Sequence, residues 1–320
     1  MLKPSVKKVI KIGLPIVLAI FFGWYSFSKV PLSQLTPYFK TANYGWIMLG
    51  MCCGLLSHLS RAYRWKYLIE PLGYRLRLPN SIMAVFITYL ANYGVPRSGE
   101  VLRAGVITNY EGVPFEKGFG TIVAERVADL IVLLGIIGFT LLYEYDFIIS
   151  IFEKLVSSKN LIYIGVAGIV LLILGFIFIQ KSQSFIAVKI KTFVSGLLEG
   201  VLSIFKMKHK WAFIAHTLFI WAMYLLMFYI TTFAIADLGD VSAGAVLIGF
   251  ISASFTIAAT NGGVAVYPLA VAAAFSLFDI PETPSIAFGW IMWSSQTIMI
   301  IIFGVLSFIY LPIYNRKPIN

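Results

Sequence analysis

Three charged residues of alternating sign stand close together in the segment 91–106. Arg97, Glu100 and Arg103 are spaced by three residues, so a helix that begins near Pro96 would place them on one broad face. Arginine presents a planar fork of N–H donors that matches the oxygens of a phosphate or carboxylate. The spacing predicts a site for an anionic head group, with the carboxylate holding the arginines or exchanging protons.

A second charged group follows in the segment 120–135. Glu125 and Asp129 are four residues apart and would stack on one face of a helix, with Arg126 beside them. An unpaired charge at mid-bilayer costs about 2.5–3.5 kcal/mol, whereas the arginines and carboxylates of the two segments balance. We expect all six to meet in one network, which is either a structural ion-pair cluster or a ligand site. Ion pairs are a poor source of stability, which favours the ligand site.

The composition places these charges in a membrane. The chain has 320 residues with a mean hydropathy of +0.88, and only 12% are charged, about half the usual share of roughly 25%. Its surface must therefore face something apolar. The net charge of +11 is carried by basic residues between apolar runs, which indicates contact with anionic lipid and not with nucleic acid.

The remaining residue types offer no cofactor or metal signature. Cys52 and Cys53 are adjacent, so their side chains diverge on a helix, and the three histidines are scattered. No nucleotide motif or activated nucleophile is recognisable. We expect no cofactor and no metal, and the sequence does not favour an enzyme.

Apolar stretches of roughly 20 residues predict membrane-spanning helices. Candidate spans cover 9–28, 44–64, 118–143, 160–180, 211–236 and 285–311, and two further apolar regions, 79–110 and 241–278, are interrupted in the middle. The first stretch is either a retained anchor or a cleaved signal peptide. The segment 184–207 has apolar residues at helical spacing, which suits an interfacial amphipathic helix or a short buried one.

The loop charges predict the orientation of these segments. Placing the basic loops in the cytoplasm puts both termini inside. Each interrupted region then begins and ends on one side, the first inside and the second outside. The expected fold is an all-α polytopic membrane protein, a single domain over 1–320 with about six full spans and two opposed re-entrant helical hairpins. The halves 1–143 and 160–311 form a possible inverted repeat.

The two interruptions mark a candidate transport site. They contain residues that break helices, namely Gly94, Pro96 and Gly99 in the first region and Gly262 and Gly263 in the second. Irregular backbone at this depth persists only where protein or a water-filled cavity satisfies it. Interrupted segments at corresponding places in two halves point to the midplane site of a transporter.

Polar residues near these breaks extend the predicted site. Thr260 and Asn261, beside the double glycine, are expected to face a cavity. Arg61 and Arg64 precede Trp65 at the cytoplasmic end of the second span. They are either an interfacial anchor or a vestibule that attracts phosphate.

Three motifs resemble one known family, namely "RAYRW" at 61–65, "VPRSGEVLRAGV" at 95–106 and "ERVAD" at 125–129. They are similar to the lysylphosphatidylglycerol synthase transmembrane family, also called the flippase-like domain. The resemblance implies a multi-pass protein of a bacterial or archaeal inner membrane that handles lipids or lipid-linked sugars.

The resemblance also sets two expectations about chemistry. Family members that transfer lysine carry a soluble domain after the membrane part, whereas this chain ends at Asn320, so aminoacyl transfer is not expected. The family's later motif has a glutamate after the double glycine, where "NGGVAVYP" has Pro268. A mechanism that needs a carboxylate from each half is therefore in doubt.

Three functions agree with the sequence. The first is a transporter or flippase of an anionic lipid or lipid-linked precursor, with membrane lipids as partners and proton coupling through a carboxylate. The second is a scaffold that recruits an enzyme of lipid or glycan synthesis without moving lipid. The third is a membrane-embedded transferase in which carboxylates act as acid or base.

Overall fold

The computed structural model describes residues 20–95, 98–155, 207–260 and 262–316, together with Val17 and isolated positions between 177 and 204. Several predicted features lie outside the described residues: Pro96, Arg97, Asn261, the beginning of the first predicted span, and nearly all of 160–180 and 184–207.

The described residues form helices and turns with no strand, which confirms the all-α fold. The helices are α1 (Leu32–Thr41), α2 (Tyr44–Arg64), α3 (Lys66–Ile69), α4 (Leu78–Gly94), α5 (Ser98–Glu111), α6 (Phe115–Tyr143), α7 (Tyr145–Leu155), α8 (Lys210–Thr232), α9 (Ala243–Ala259), α10 (Val266–Ser276) and α11 (Glu282–Tyr314). Residues 20–29 are also helical. By length and composition, α8 and α11 are each able to cross a membrane.

The chain divides into two compact units. One comprises Met1–Val123 and Trp211–Asn320, and the other comprises Ala124–Lys210. The first unit contains both interrupted regions, each of which is a pair of helices joined by a short break. We call α4 and α5 the first hairpin, and α9 and α10 the second hairpin.

The first hairpin closes through direct contact between its backbones. A Cβ on Gly99 would collide with the backbone of Thr88, so only glycine allows this approach of α5 to α4. Asn92 holds the start of α5, since the backbone N–H of Gly99 donates to Asn92 Oδ1 at 2.8 Å. The Ser98 hydroxyl donates to the carbonyl of Val95 at 2.8 Å.

The second hairpin turns through left-handed backbone. Gly262 and Gly263 have φ of 68° and 76°, and Ala265 has φ of 60°. Glycine tolerates this region and other residues rarely do. The Ser252 hydroxyl donates to the carbonyl of Ala270 at 3.0 Å and ties α9 to α10. The break predicted at the double glycine is therefore a turn between two helices.

Helix α11 contacts both hairpins at glycines. A Cβ on Gly304 would meet Leu90 of α4, and one on Gly289 would meet Pro268 of α10. Small residues at such crossings let helices in a membrane approach closely. Pro268, which the resemblance puts about where the family motif has an acid, is buried at one of these crossings. Pro268 therefore packs against α11 at Gly289.

Candidate functional site

A buried arginine lies on an aromatic ring at the beginning of α3. Arg103 of α5 is 2% exposed, and its guanidinium carbon lies 3.9 Å from the centre of the Trp65 ring. This is the geometry of a cation–π interaction. Trp65 is itself fully buried, and its Nε1–H donates to the Thr121 hydroxyl at 2.9 Å. Trp65 thus connects α5 to the beginning of α6.

Two further arginines are buried at the end of α2. Arg61 is 3% exposed and Arg64 is fully buried. Arg64 donates from Nη1 to the Thr217 hydroxyl of α8 at 2.7 Å, and its guanidinium lies 5.0 Å from the Phe213 ring. We call Arg61, Arg64, Trp65 and Arg103 the arginine–tryptophan cluster. Such burial does not fit an interfacial anchor, whose side chains would meet lipid head groups at the surface.

The "RAYRW" spacing explains this arrangement locally. Trp65 continues the backbone hydrogen bonding of α2, because its N–H donates to the carbonyl of Arg61. Residues four apart lie on the same helix face, so Arg61 and Trp65 face the same way. Tyr63 faces away from the cluster and is exposed. The motif therefore places positive charge and an aromatic ring on one inward face.

The carboxylates lie on two different helices. Glu100 is partly buried on α5, and Asn92 donates to its Oε2 at 3.3 Å. Glu125 and Asp129 of α6 are 1% and 7% exposed, whereas Arg126 is exposed. The predicted stacking of Glu125 and Asp129 on one helix face agrees with this burial. These α6 residues belong to the second unit, so their meeting with the arginines stays a prediction.

The breaks of the two hairpins meet each other inside the first unit. A Cβ on Gly262 would overlap the ring of Tyr93, which lies at the end of α4. Trp293 of α11 donates from Nε1 to the carbonyl of Gly262 at 2.7 Å. The hydroxyls of Tyr93 and Thr297 are 3.0 Å apart. We call Tyr93, Gly262, Trp293 and Thr297 the tip contact.

Other predicted break residues have different surroundings. Thr260 uses its hydroxyl locally, since it donates to the carbonyl of Thr256 at 2.7 Å and accepts from the N–H of Gly263 at 3.0 Å. Gly94 is exposed, and a Cβ there would meet nothing within 4 Å. These contacts make Thr260 a cap of the turn and Gly94 an uncrowded end of α4.

Sequence reasoning missed the aromatic residues of the tip contact. Tyr93 precedes a recognised break, and Trp293 and Thr297 are four residues apart on α11. That spacing places both side chains on one helix face, and this shared face was the sequence feature that could have indicated the tip contact. Among the described residues, no group of histidine, cysteine, aspartate or glutamate is arranged to hold a metal ion.

Curated relatives are similar to parts of the chain. A UPF0104 membrane protein of Methanothermobacter thermautotrophicus is 29% identical over 161 residues, which is 49% of this chain and 43% of the relative. A UPF0104 membrane protein of Methanocaldococcus jannaschii is 25% identical over 151 residues, 46% of this chain and 44% of the relative. The matches span less than half the length of these relatives.

A third relative is a named enzyme. The glycosyltransferase AglD of Haloferax volcanii is 33% identical over 82 residues, which is 25% of this chain and 13% of that protein. No solved structure matches the chain significantly. The profile of the lysylphosphatidylglycerol synthase transmembrane region matches residues 12–304. The chain is therefore a multi-pass membrane protein and belongs to the lysylphosphatidylglycerol synthase transmembrane-region family.

Proposed function

We propose that this protein moves an anionic lipid or lipid-linked precursor across the membrane through the polar interior between its two hairpins. The observation that carries the proposal is the tip contact, where Tyr93 of one hairpin meets Gly262 of the other. Transporters place their substrate site where two interrupted segments meet near the midplane. Here the hairpins are re-entrant, and the tip contact is the closed state of the path.

The arginine–tryptophan cluster binds the head group in this proposal. Three buried guanidinium groups carry a high desolvation cost, which an anionic ligand would offset through charge-assisted hydrogen bonds. The Arg103 guanidinium carbon lies 3.9 Å from the centre of the Trp65 ring, so the ring holds the guanidinium in place. Its planar fork of N–H donors is suited to bidentate contact with phosphate.

A carboxylate of the same unit balances the arginines when no lipid is bound. Glu100, on the same helix as Arg103, faces the guanidinium charge in the resting state and gives way to the phosphate. The protein works in a bacterial or archaeal cytoplasmic membrane, as the family resemblance implies, with both termini in the cytoplasm, as the basic loops indicate. Arg61 and Arg64 then stand at the cytoplasmic entrance.

Reconstituted vesicles test the transport proposal. Vesicles containing a fluorescent anionic lipid are exposed to a quencher that cannot cross the membrane, so the loss of the protected fraction reports movement between leaflets. We expect the wild type to accelerate that loss, Arg103→Gln to abolish the acceleration and Arg103→Lys to retain part of it. Arg75→Gln is the matched control, because Arg75 is exposed.

Two results would contradict this proposal. Wild-type vesicles that exchange lipid no faster than empty vesicles would exclude transport. A full rate in a folded Arg103→Gln variant would exclude the head-group role of the arginine–tryptophan cluster. If Arg103→Gln and Arg103→Lys both fail to fold, the cluster is structural.

A second candidate function rests on the similarity to the glycosyltransferase AglD. A segment like this one occurs in that enzyme, which supports a scaffold that holds a partner enzyme of lipid or glycan synthesis at the membrane. Co-purification of such an enzyme, with no lipid movement by the purified chain, would favour the scaffold over the transporter.

A further inference from the structure

A polar cluster joins the base of the first hairpin to the end of α11. Arg77 and Asn80 lie at the beginning of α4, Glu111 ends α5, and Asn315 directly follows α11. The two asparagines exchange side-chain hydrogen bonds, since Asn315 Nδ2 donates to Asn80 Oδ1 at 2.8 Å and Asn80 Nδ2 donates to Asn315 Oδ1 at 3.0 Å. We call these four residues the base cluster.

Arg77 and Glu111 complete the hydrogen bonding of the base cluster. Arg77 donates from Nη2 to Asn315 Oδ1 at 2.7 Å and to the Tyr110 carbonyl at 3.0 Å. The Glu111 carboxylate, whose side chain is 6% exposed, accepts from Arg77 Nε at 3.1 Å and from Asn80 Nδ2 at 2.5 Å. Residues of α4, α5 and α11 are therefore tied into one hydrogen-bond network.

The base cluster is one end of a long contact between α11 and α4. Thr297, Gly304 and Asn315 share one face of α11, because their intervals of seven and eleven residues are close to whole numbers of helical turns. On α4 their respective contacts are Tyr93, Leu90 and Asn80. Helix α11 therefore runs along α4 from the tip contact to the base cluster.

The two ends of this contact differ in their access to water. At the base cluster, Arg77 is 49% exposed by its side chain and Asn315 is partly exposed. A hydrogen bond that water can replace costs little to break. The tip contact lies beside the apolar helices α9 and α10, and a polar group released into lipid finds no substitute partner. Separation of α11 from α4 therefore begins at the base cluster.

We propose that the base cluster is a latch that holds α11 against α4 and so keeps the tip contact closed. Release of Asn315 frees the end of α11, and the helix then carries Trp293 and Thr297 away from the hairpin breaks. Salt screens an exposed ion pair such as Arg77 with Glu111, so the latch opens more readily as the ionic strength rises. The inference rests on the proposed function in taking the tip contact as the closed state of the path.

Amide hydrogen exchange of the purified full chain in detergent micelles tests the latch without lipid transport. Mass spectrometry follows the turn of the second hairpin, residues 262–266, with residues 213–220 of α8 as an internal reference. Asn315→Ala removes the link between α11 and the first hairpin and should speed exchange in 262–266 about tenfold, the equivalent of one or two hydrogen bonds. Arg77→Gln leaves the asparagine pair in place and should speed it about threefold. Exchange in 213–220 should not change.

The matched control is Asn109→Ala, because Asn109 is an exposed asparagine at the same end of α5, and exchange at the tip should stay unchanged in it. An unchanged rate in 262–266 in folded Asn315→Ala and Arg77→Gln would overturn the latch. An equal rise in both measured segments would overturn it as well, since that shows a general loss of stability. Faster exchange confined to the last turn of α11 would reduce the base cluster to a local cap. Arg77→Gln decides if Asn315→Ala does not fold.

The vesicle assay separates the latch from the transport proposal. If both hold, Asn315→Ala moves lipid between leaflets faster than the wild type. Faster hydrogen exchange at the tip, with no lipid movement by any variant, would support the latch and contradict transport. Faster hydrogen exchange with lipid movement at the wild-type rate would support the latch and contradict the tip contact as the closed state of the path.

Discussion

The two hairpins have the same plan but opposite chemistry. The first hairpin carries Glu100 and Arg103 on α5, and its other end is held by a polar cluster around Asn80 and Glu111. The second hairpin contains no charged residue between 241 and 278 and turns on glycines with positive φ. One hairpin thus supplies the charge, and the other supplies a compact apolar partner for the tip contact.

This difference shows how a membrane protein concentrates polar groups. Each buried charge needs neighbours that satisfy it, so a cluster on one hairpin requires polar partners only from the helices around it. The second hairpin then packs through small residues, which suit close contact in lipid. Two helix pairs of the same plan can therefore differ in their chemistry.

The largest expected loss of stability comes from a substitution at the closest contact of the first hairpin. Gly99→Ala forces a Cβ against the Thr88 backbone, which cannot rotate away as a flexible side chain could. We expect a loss of about 3 kcal/mol in the free energy of unfolding, measured by denaturation in mixed micelles. Gly105→Ala on the same helix is the matched control, because a Cβ there meets nothing within 4 Å.

The control variant Gly105→Ala also has an expected effect on stability. Alanine favours a helix over glycine by up to about 1 kcal/mol, so Gly105→Ala should leave stability unchanged or increase it. Similar losses in both variants would show that α5 tolerates no side chain at either position. The close approach of the hairpin backbones would then not be the cause.

A smaller effect is expected at the tip of the second hairpin. Trp293→Phe removes the donor to the Gly262 carbonyl, which is 2.7 Å from Nε1, and should cost about 1–2 kcal/mol in mixed-micelle denaturation. Trp290→Phe is the control, since its Nε1–H reaches the Ser26 hydroxyl at 3.3 Å. A larger loss of stability in Trp290→Phe than in Trp293→Phe would contradict the expectation that the Trp293 hydrogen bond is the stronger of these two.

The smallest expected loss of stability comes from removing an ion pair at the first hairpin, the hairpin that carries charge. Arg77, 49% exposed by its side chain, lies 3.1 Å from Glu111 at the base of the first hairpin. Arg77→Gln should cost about 0.5–1 kcal/mol at low salt and less at roughly 1 M salt, where the Debye length is about 3 Å. Denaturation at both salt concentrations measures the difference.

The second hairpin provides the comparison for this salt effect. It has no ion pair of its own, so the loss caused by Trp293→Phe should be the same at low and high salt. A salt dependence as large in Trp293→Phe as in Arg77→Gln would contradict the assignment of charge to the first hairpin alone.

Local features of this protein were readable from its residues. The breaks around Gly99 and Gly262 follow from backbone preferences that act within a few residues, and the structure confirms helices on either side of each. The inward spacing of Arg61 and Trp65 follows from helix geometry in the same way. The all-α membrane fold follows from composition, because so little charge cannot cover a water-facing surface.

The partners of these features were decided only by tertiary structure. Tyr93 meets Gly262, and Trp65 lies against Arg103 and Thr121, although nothing in their local sequence indicates the pairing. In lipid, an apolar face is equally suited to a neighbouring helix or to the membrane. Hydrophobic periodicity therefore identifies the helices but not their contacts. Close approaches at glycines such as Gly289 and Gly304 select those contacts, and they place the polar side chains around one interior.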